Sequence, residues 1–292
     1  VVVQWGVDQP VPAGAGYTPV HGHAVALSRR TTFARITMTL PNAAIVREPT
    51  VTVLARPLFT EPVHLPVQWL GDATDGERIA EYAGRLCYMS QRNPANRETR
   101  DYLENIKKQG HGSVMEHASY TLLLEGVSRA LTHELVRHRA GFAYSQLSQR
   151  YVDESAARFV IPPAILGDER LEHTWAEHVA GAQQAYTALI DALMGRYGWV
   201  DDQLQRRKMA REAARGVLPN STETKIVVTA NARAWRTMLA LRTGEEAELE
   251  FRRAALMVLR VLQREAPSFF SDFEVYVAPD RREAARVSYH KV

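Results

Sequence analysis

With 292 residues, nearly half of them apolar, the chain can bury a substantial core, and its single cysteine, Cys87, excludes an intramolecular disulfide and any metal site built from cysteines alone. The formal net charge is only +3 but the pI of about 9.0 leans basic, which keeps both nucleic acid and phosphate-bearing small molecules in view as ligands. No apolar run is long enough to span a bilayer and no signal peptide is evident, so the expectation is a cytoplasmic protein.

Residues 1–48 hold Pro10, Pro12, Gly14, Gly16 and the pair Arg29-Arg30 without sustained periodicity, and read as an N-terminal extension, disordered or outside the main domain. That domain is expected over 49–280, with a charged tail at 281–292. Val51 to Ala55 reads as a first strand stopped by Pro57. Helices are expected over 75–88 and 98–108, joined by a polar turn around Asn93-Pro94. Cys87 falls on the apolar side of the first, which favours a buried structural thiol over a nucleophile. Gln109 to Ser113 is a glycine-rich turn, and His111, Ser113, Glu116 and His117 make it chemically dense, yet their spacing matches no helical zinc pattern, so no metal is expected.

A strand over 118–125 leads into Ser128, placed to cap a helix that carries Glu134 and runs toward Arg137-His138-Arg139. Gly141 suits a helix C-terminus, which puts the triplet in the last helical turn. On a helix Glu134, Arg137 and His138 share a face, whereas Arg137 and Arg139 point nearly opposite ways and can serve two ligands or two subunits. A solvated helix end with well-placed cations is the simpler reading of the triplet alone. The polar run Tyr144 to Arg150 that follows favours a ligand site, because arginine's planar fork suits phosphate.

A short strand over 158–161, a long packing helix over 171–197 and a basic helix over 205–217 come next. A strand over 226–230 turns through Asn231-Ala232-Arg233 into a helix ending at Leu241-Arg242, and a last long helix spans 245–265 before a strand over 273–277. No Gly-x-Gly-x-x-Gly follows a strand and no phosphate loop is present, which argues against a Rossmann fold or a P-loop enzyme.

Arg137-His138-Arg139 followed by Ser145-Gln146-Leu147-Ser148-Gln149-Arg150-Tyr151 closely resembles the signature of the flavin-dependent thymidylate synthases. The resemblance extends through His111 to His117, Leu218-Pro219-Asn220, Asn231 to Arg236 and Leu241-Arg242, over roughly residues 50–277. It implies an α/β (α+β) domain with a mixed sheet and long helices, assembled as a homotetramer with active sites between subunits. It further implies methylation of dUMP to dTMP, with methylenetetrahydrofolate as carbon donor, reduced FAD as hydride source and NADPH as reductant. Carried over by motif, FAD would be held by Ser113, Glu116, Arg137, His138, Arg139, Asn231, Arg233 and the position of Thr237. The nucleotide would meet Glu134, Arg137, Gln146, Leu147, Ser148, Gln149, Arg150, Arg215 and Arg242, with Arg242 as the catalytic cation that polarises uracil. The family uses no cysteine to activate the pyrimidine, and none here is placed to do so.

Three departures from the family pattern stand out. Eight residues, Ala140 to Leu147, separate the triplet from Ser148 where the signature has seven. Gly244-Glu245-Glu246-Ala247 lacks the histidine frequent before that alanine, and Thr237 stands where Asn or His is common. Outside this class, the 205–215 helix suggests a basic nucleic-acid-binding module, and a purely structural assembly would bind neither flavin nor dUMP.

Overall fold

The computed structural model describes residues 44–292, so the expectations for residues 1–43 lie outside the described residues. The elements in order are β1 (Ile45–Val46), β2 (Thr50–Ala55), α1 (Asp75–Cys87), α2 (Thr99–Gln109), β3 (Ser119–Ser128), α3 (Arg129–Leu135), β4 (Phe142–Gln146) and β5 (Phe159–Val160). Then follow α4 (Glu169–Arg196), α5 (Gln203–Ala214), β6 (Glu223–Asn231), α6 (Ala232–Arg242), α7 (Leu249–Glu265), α8 (Pro267–Phe270), β7 (Phe273–Val277) and β8 (Glu283–Val287). Helices and sheets mix as expected of an α+β protein. No described helix is long and apolar enough to cross a membrane.

The central sheet is antiparallel, in the order β2-β3-β6-β4. Its strands alternate as a one-sided sheet must: Tyr120, Leu122 and Leu124 on β3 are buried opposite Ala230, Val228 and Ile226 of β6. Helices α6 and α7 supply much of the remaining core, through Trp235, Met238 and Leu239 and through Phe251, Leu259 and Leu262. Trp235 Nε1 donates to the Tyr120 carbonyl at 3.4 Å, which locks α6 to the sheet. β1 and β5 form a separate parallel pair, and β7 and β8 a hairpin.

Four expectations change. The polar run after the triplet begins in a strand: residues 142–146 form edge strand β4, with Phe142 paired to Ala230 and Gln146 to Ile226. The charged tail contains β8, whose Ala284, Ala285 and Val287 are buried. The last long helix starts at Leu249 rather than 245, because Glu248 caps it by accepting from the amides of Glu250 at 3.0 Å and Phe251 at 2.9 Å. Helix α4 packs on α5 and on Ala157 and Phe159, but it fully buries only Val179, Ala180 and Tyr186 along its 28 residues and leaves one side exposed.

Cys87 is exposed rather than buried. It is the last residue of α1, whose buried face runs through Glu77, Ala80, Glu81, Gly84 and Arg85, and two residues past Arg85 a side chain has rotated to the other side. Two of those buried positions are acids. Glu77 accepts from the amides of Thr74 at 2.9 Å and Ser268 at 2.6 Å, and Glu81 accepts from Arg85 Nε at 2.6 Å.

Candidate active site

The α3 helix forms because Ser128 Oγ accepts from the Leu131 amide at 3.0 Å, and the same serine is clamped by Glu250 from α7. It then ends at Leu135, earlier than Gly141 suggested. The Tyr144 hydroxyl, reaching back from β4, is shared between the carbonyls of Leu135 at 2.9 Å and His138 at 2.6 Å, and so satisfies groups that a continuing helix would have used. Arg137, His138 and Arg139 therefore lie in a turn between α3 and β4. The helical-wheel argument for opposed arginines fails here, although both side chains remain exposed.

Gly141 makes this turn possible. Its φ of +75° is the left-handed region, and a Cβ there would sit 2.9 Å from both Ala234 Cβ and Asn231 Nδ2. The turn thus rests on the start of α6, where Asn231 caps the helix by accepting from the Ala234 amide at 2.8 Å.

Arg242, at the far end of α6, points back to α3. Its Nη1 donates to Glu134 Oε2 at 2.9 Å, and its Nε donates to His138 Nε2 at 3.2 Å. The imidazole must then be neutral with its proton on Nδ1. Burial, reinforced by the Arg242 cation, holds the His138 pKa below its ordinary value against the opposing pull of Glu134. Arg137 does not join this cluster; its guanidinium meets His133 Nε2 at 3.0 Å.

Beside Glu134 opens a cavity of about 520 Å³, lined by Arg129, Thr132, His133, Gln146 and Asn220 among others. Gln146 Nε2 is fixed there by the hydroxyls of Thr132 at 3.0 Å and Thr224 at 3.3 Å. Arg129, at the start of α3, was not singled out by sequence. Burial first and the nearby Arg215 second lower its pKa, while Glu154 opposes them. Sequence offered one signal for it, an arginine directly after a capping serine. The Leu147 carbonyl accepts from Arg129 at 3.4 Å, and its amide donates to the Lys225 carbonyl at 3.0 Å.

Ser148 Oγ accepts from the Arg150 amide at 3.4 Å, and the buried Gln149 keeps an amide nitrogen without a partner. Arg150 is drawn away to α5, where Glu212 accepts from its Nε at 3.0 Å. The basic helix is also tied locally: Arg206 donates to the Val200 carbonyl and Arg211 to the Tyr151 carbonyl at 2.7 Å. Two of its cations are therefore engaged, while Arg207 stays exposed.

A second cavity, about 340 Å³, is lined by Cys87, Tyr88, Tyr102, His111, Gly112, Ser113 and Arg233. Glu116 accepts from Arg233 Nη1 at 2.6 Å. A Cβ on Gly112 would lie 3.0 Å from Arg233 Nε, so the glycine lets that guanidinium approach the main chain. Thr237 is one turn further along α6, its hydroxyl bonded to the Arg233 carbonyl at 3.1 Å, and lies apart from this cavity. The two cavities share no lining residue.

The family model described as "Thymidylate synthase complementing protein" matches residues 70–268. Over 241 residues the chain is 46% identical to the flavin-dependent thymidylate synthase of Mycobacterium sp. (strain JLS), covering 80% of this chain and 94% of that protein. It is 45% identical over 237 residues to the enzyme of that name from Mycobacterium tuberculosis (strain ATCC 25618 / H37Rv), with the same coverage. The chain belongs to the flavin-dependent thymidylate synthase family.

For a flavin-dependent thymidylate synthase the cavity at Arg233 suits FAD: the half-buried Arg233 can face a phosphate, Ser113 adds a hydroxyl, and Gly112 leaves the backbone approachable, while Arg137 and Arg139 line neither cavity and are exposed. Among the described residues no three His, Cys, Asp or Glu side chains gather as metal ligands.

Proposed function

We propose that this chain catalyses the reductive methylation of dUMP to dTMP, taking its carbon from 5,10-methylenetetrahydrofolate. When bound, reduced FAD supplies the hydride, and NADPH restores it. The observation that carries this reading is the meeting of Arg242, Glu134 and His138, which brings the ends of α3 and α6 together beside the larger cavity.

Arg242 is the group assigned to the uracil ring. Its guanidinium is held by a carboxylate and by a neutral imidazole, so it stays in place as negative charge develops on the pyrimidine. Glu134 and Gln146 line the cavity and orient the base, while Arg137 and Arg215 are assigned to nucleotide contacts, Arg215 to the phosphate. Leu147, Ser148, Gln149 and Arg150 complete the nucleotide set, with Ser148 as a hydroxyl donor. Among the described residues the Ser148 hydroxyl is hydrogen-bonded to the Arg150 amide and to no side-chain base, so nothing there activates it as a nucleophile. FAD is assigned to Ser113, Glu116, Arg137, His138, Arg139, Asn231, Arg233 and Thr237.

The enzyme is proposed to work in the cytoplasm as a homotetramer with sites shared between subunits. Two observations support sharing: the two cavities of one chain are separate, and α4 leaves one side exposed along its length. The nucleic-acid reading loses ground because Arg206 and Arg211 are tied to nearby carbonyls. The visible spectrum of the purified protein after incubation with FAD tests the proposal. A retained flavin band is expected, and folded protein that takes up no FAD would remove the basis for the assignment.

A further inference from the structure

The cation at the centre of the site has a neighbour that hydrogen bonding does not reveal. The Arg242 guanidinium carbon lies 4.7 Å from the centroid of the Phe251 ring, on the first turn of α7. The same ring meets His138 at 6.2 Å between centroids with an interplanar angle of 84°, a T-shaped contact. Phe251 is only 2% exposed, so water does not screen it. A guanidinium facing a desolvated aromatic ring is attracted by the ring's quadrupole, more strongly than at an exposed site.

We infer that Phe251 is a positioning residue for Arg242, a fixed aromatic platform that sets the plane of its guanidinium. The inference rests on the reading of Arg242 as the group that faces uracil. Two hydrogen bonds, to Glu134 and His138, hold the guanidinium at its edges but leave it free to tilt about the line joining them. Contact with the ring removes that freedom.

The platform is itself immobilised. The Phe251 amide donates to Glu248 Oε2 at 2.9 Å. Its neighbour Glu250 accepts from both the amide and the hydroxyl of Ser128 at 2.7 Å. The first turn of α7 therefore grips the start of α3 with one residue and supports Arg242 with the next. Since α3 carries Glu134, and His138 lies just beyond its end, one helical turn fixes all three members of the cluster relative to each other.

Size and apolarity alone would make Phe251 a core residue, and the test must separate that role from an electrostatic one. Replacing Phe251 by 4-fluoro-, 3,5-difluoro- and 3,4,5-trifluorophenylalanine drains the ring's quadrupole in steps while nearly preserving its shape. With FAD-loaded enzyme, dUMP affinity by calorimetry and kcat/KM for dTMP formation should fall stepwise along the series. At the trifluoro end the loss in kcat/KM should reach about 5- to 30-fold, the equivalent of about 1–2 kcal/mol. Melting temperature and bound FAD should stay level. Phe251→Leu, which keeps apolar volume without a quadrupole, should match the trifluoro enzyme. Arg242→Ala is measured alongside. A flat fluorination series together with a crippled Arg242→Ala enzyme would overturn the inference and leave the site assignment standing. An Arg242→Ala enzyme with normal dUMP turnover would overturn both.

Discussion

The Arg242 guanidinium donates to the Glu134 carboxylate at 2.9 Å although 108 residues separate them in the chain. That bond joins the C-terminus of α6 to the end of α3, and the candidate site is built around it. Glu134→Gln keeps an acceptor but removes the opposing charge. Because the acid is 44% and the arginine 25% exposed, stability should change by less than about 1 kcal/mol. Turnover of dUMP should fall about 10- to 100-fold, as when a charge-assisted bond is weakened. Steady-state kinetics and urea unfolding on one preparation would separate the two effects.

His138 gives the cluster a pH dependence whose sign is fixed by its lowered pKa. The folded protein resists protonating this imidazole, because burial and the Arg242 cation both disfavour the charge. The unfolded chain then binds more protons in the range below the ordinary value of 6.5, so the stability contributed by His138 is present above that value and lost as pH falls through the folded pKa. Protonation also removes the acceptor of Arg242 and sets two cations side by side. Wild type should lose stability and dUMP affinity between about pH 7 and 5 more steeply than His138→Gln. Parallel profiles for the two proteins would count against this role.

Gly141→Ala tests the turn that replaces the expected helix end. The alanine would have to hold φ near +75° with its Cβ 2.9 Å from Ala234 and Asn231. A left-handed residue alone costs about 1–2 kcal/mol, and displacement of the Asn231 cap should also weaken FAD binding. Gly181→Ala is the control, since a Cβ there meets nothing within 4 Å on helix α4, and it should stabilise by about 0.5–1 kcal/mol.

The framework away from the site depends on Asp272. It accepts from Arg236 at 2.7 Å and 2.9 Å and from Lys107 at 3.2 Å, all three side chains being almost wholly buried. Burial pushes its pKa up, but the two cations together hold it below the ordinary value. Its contribution is therefore complete above the unfolded pKa and disappears as pH falls through the folded one. Asp272→Asn should lower the unfolding free energy at neutral pH by about 3–5 kcal/mol, and the gap from wild type should narrow below about pH 4. Urea titrations at pH 7 and 3.5 would measure both.

Much of this architecture was legible in the sequence, and what was not has physical reasons. The strands at the sheet centre announce themselves by short apolar runs, Leu122-Leu123-Leu124 and Ile226-Val227-Val228, and α6 by the Asn231 turn that opens it. Strand β4 was masked because its outward residues, Ala143 and Ser145, are small and follow a charged triplet; the period-two pattern of Phe142, Tyr144 and Gln146 was nonetheless there. Strand β8 hides behind alanines, which carry little strand signal. The buried faces of Glu77, Glu81 and Arg85 run against polarity, and only their partners explain them. At the site, motif spacing named the arginines, but no local pattern could show that Arg242 meets Glu134 or that Phe251 lies beneath it. Those contacts arise where distant helix ends are brought together by the sheet.

The most direct test is dTMP formation from dUMP by the purified chain given methylenetetrahydrofolate, FAD and NADPH under anaerobic conditions. The product should appear with the native protein, fail without FAD, and drop at least about 100-fold with Arg242→Ala, the scale on which loss of a preorganised charge stabiliser is felt. Folded protein that retains FAD and binds dUMP yet forms no dTMP would contradict the account.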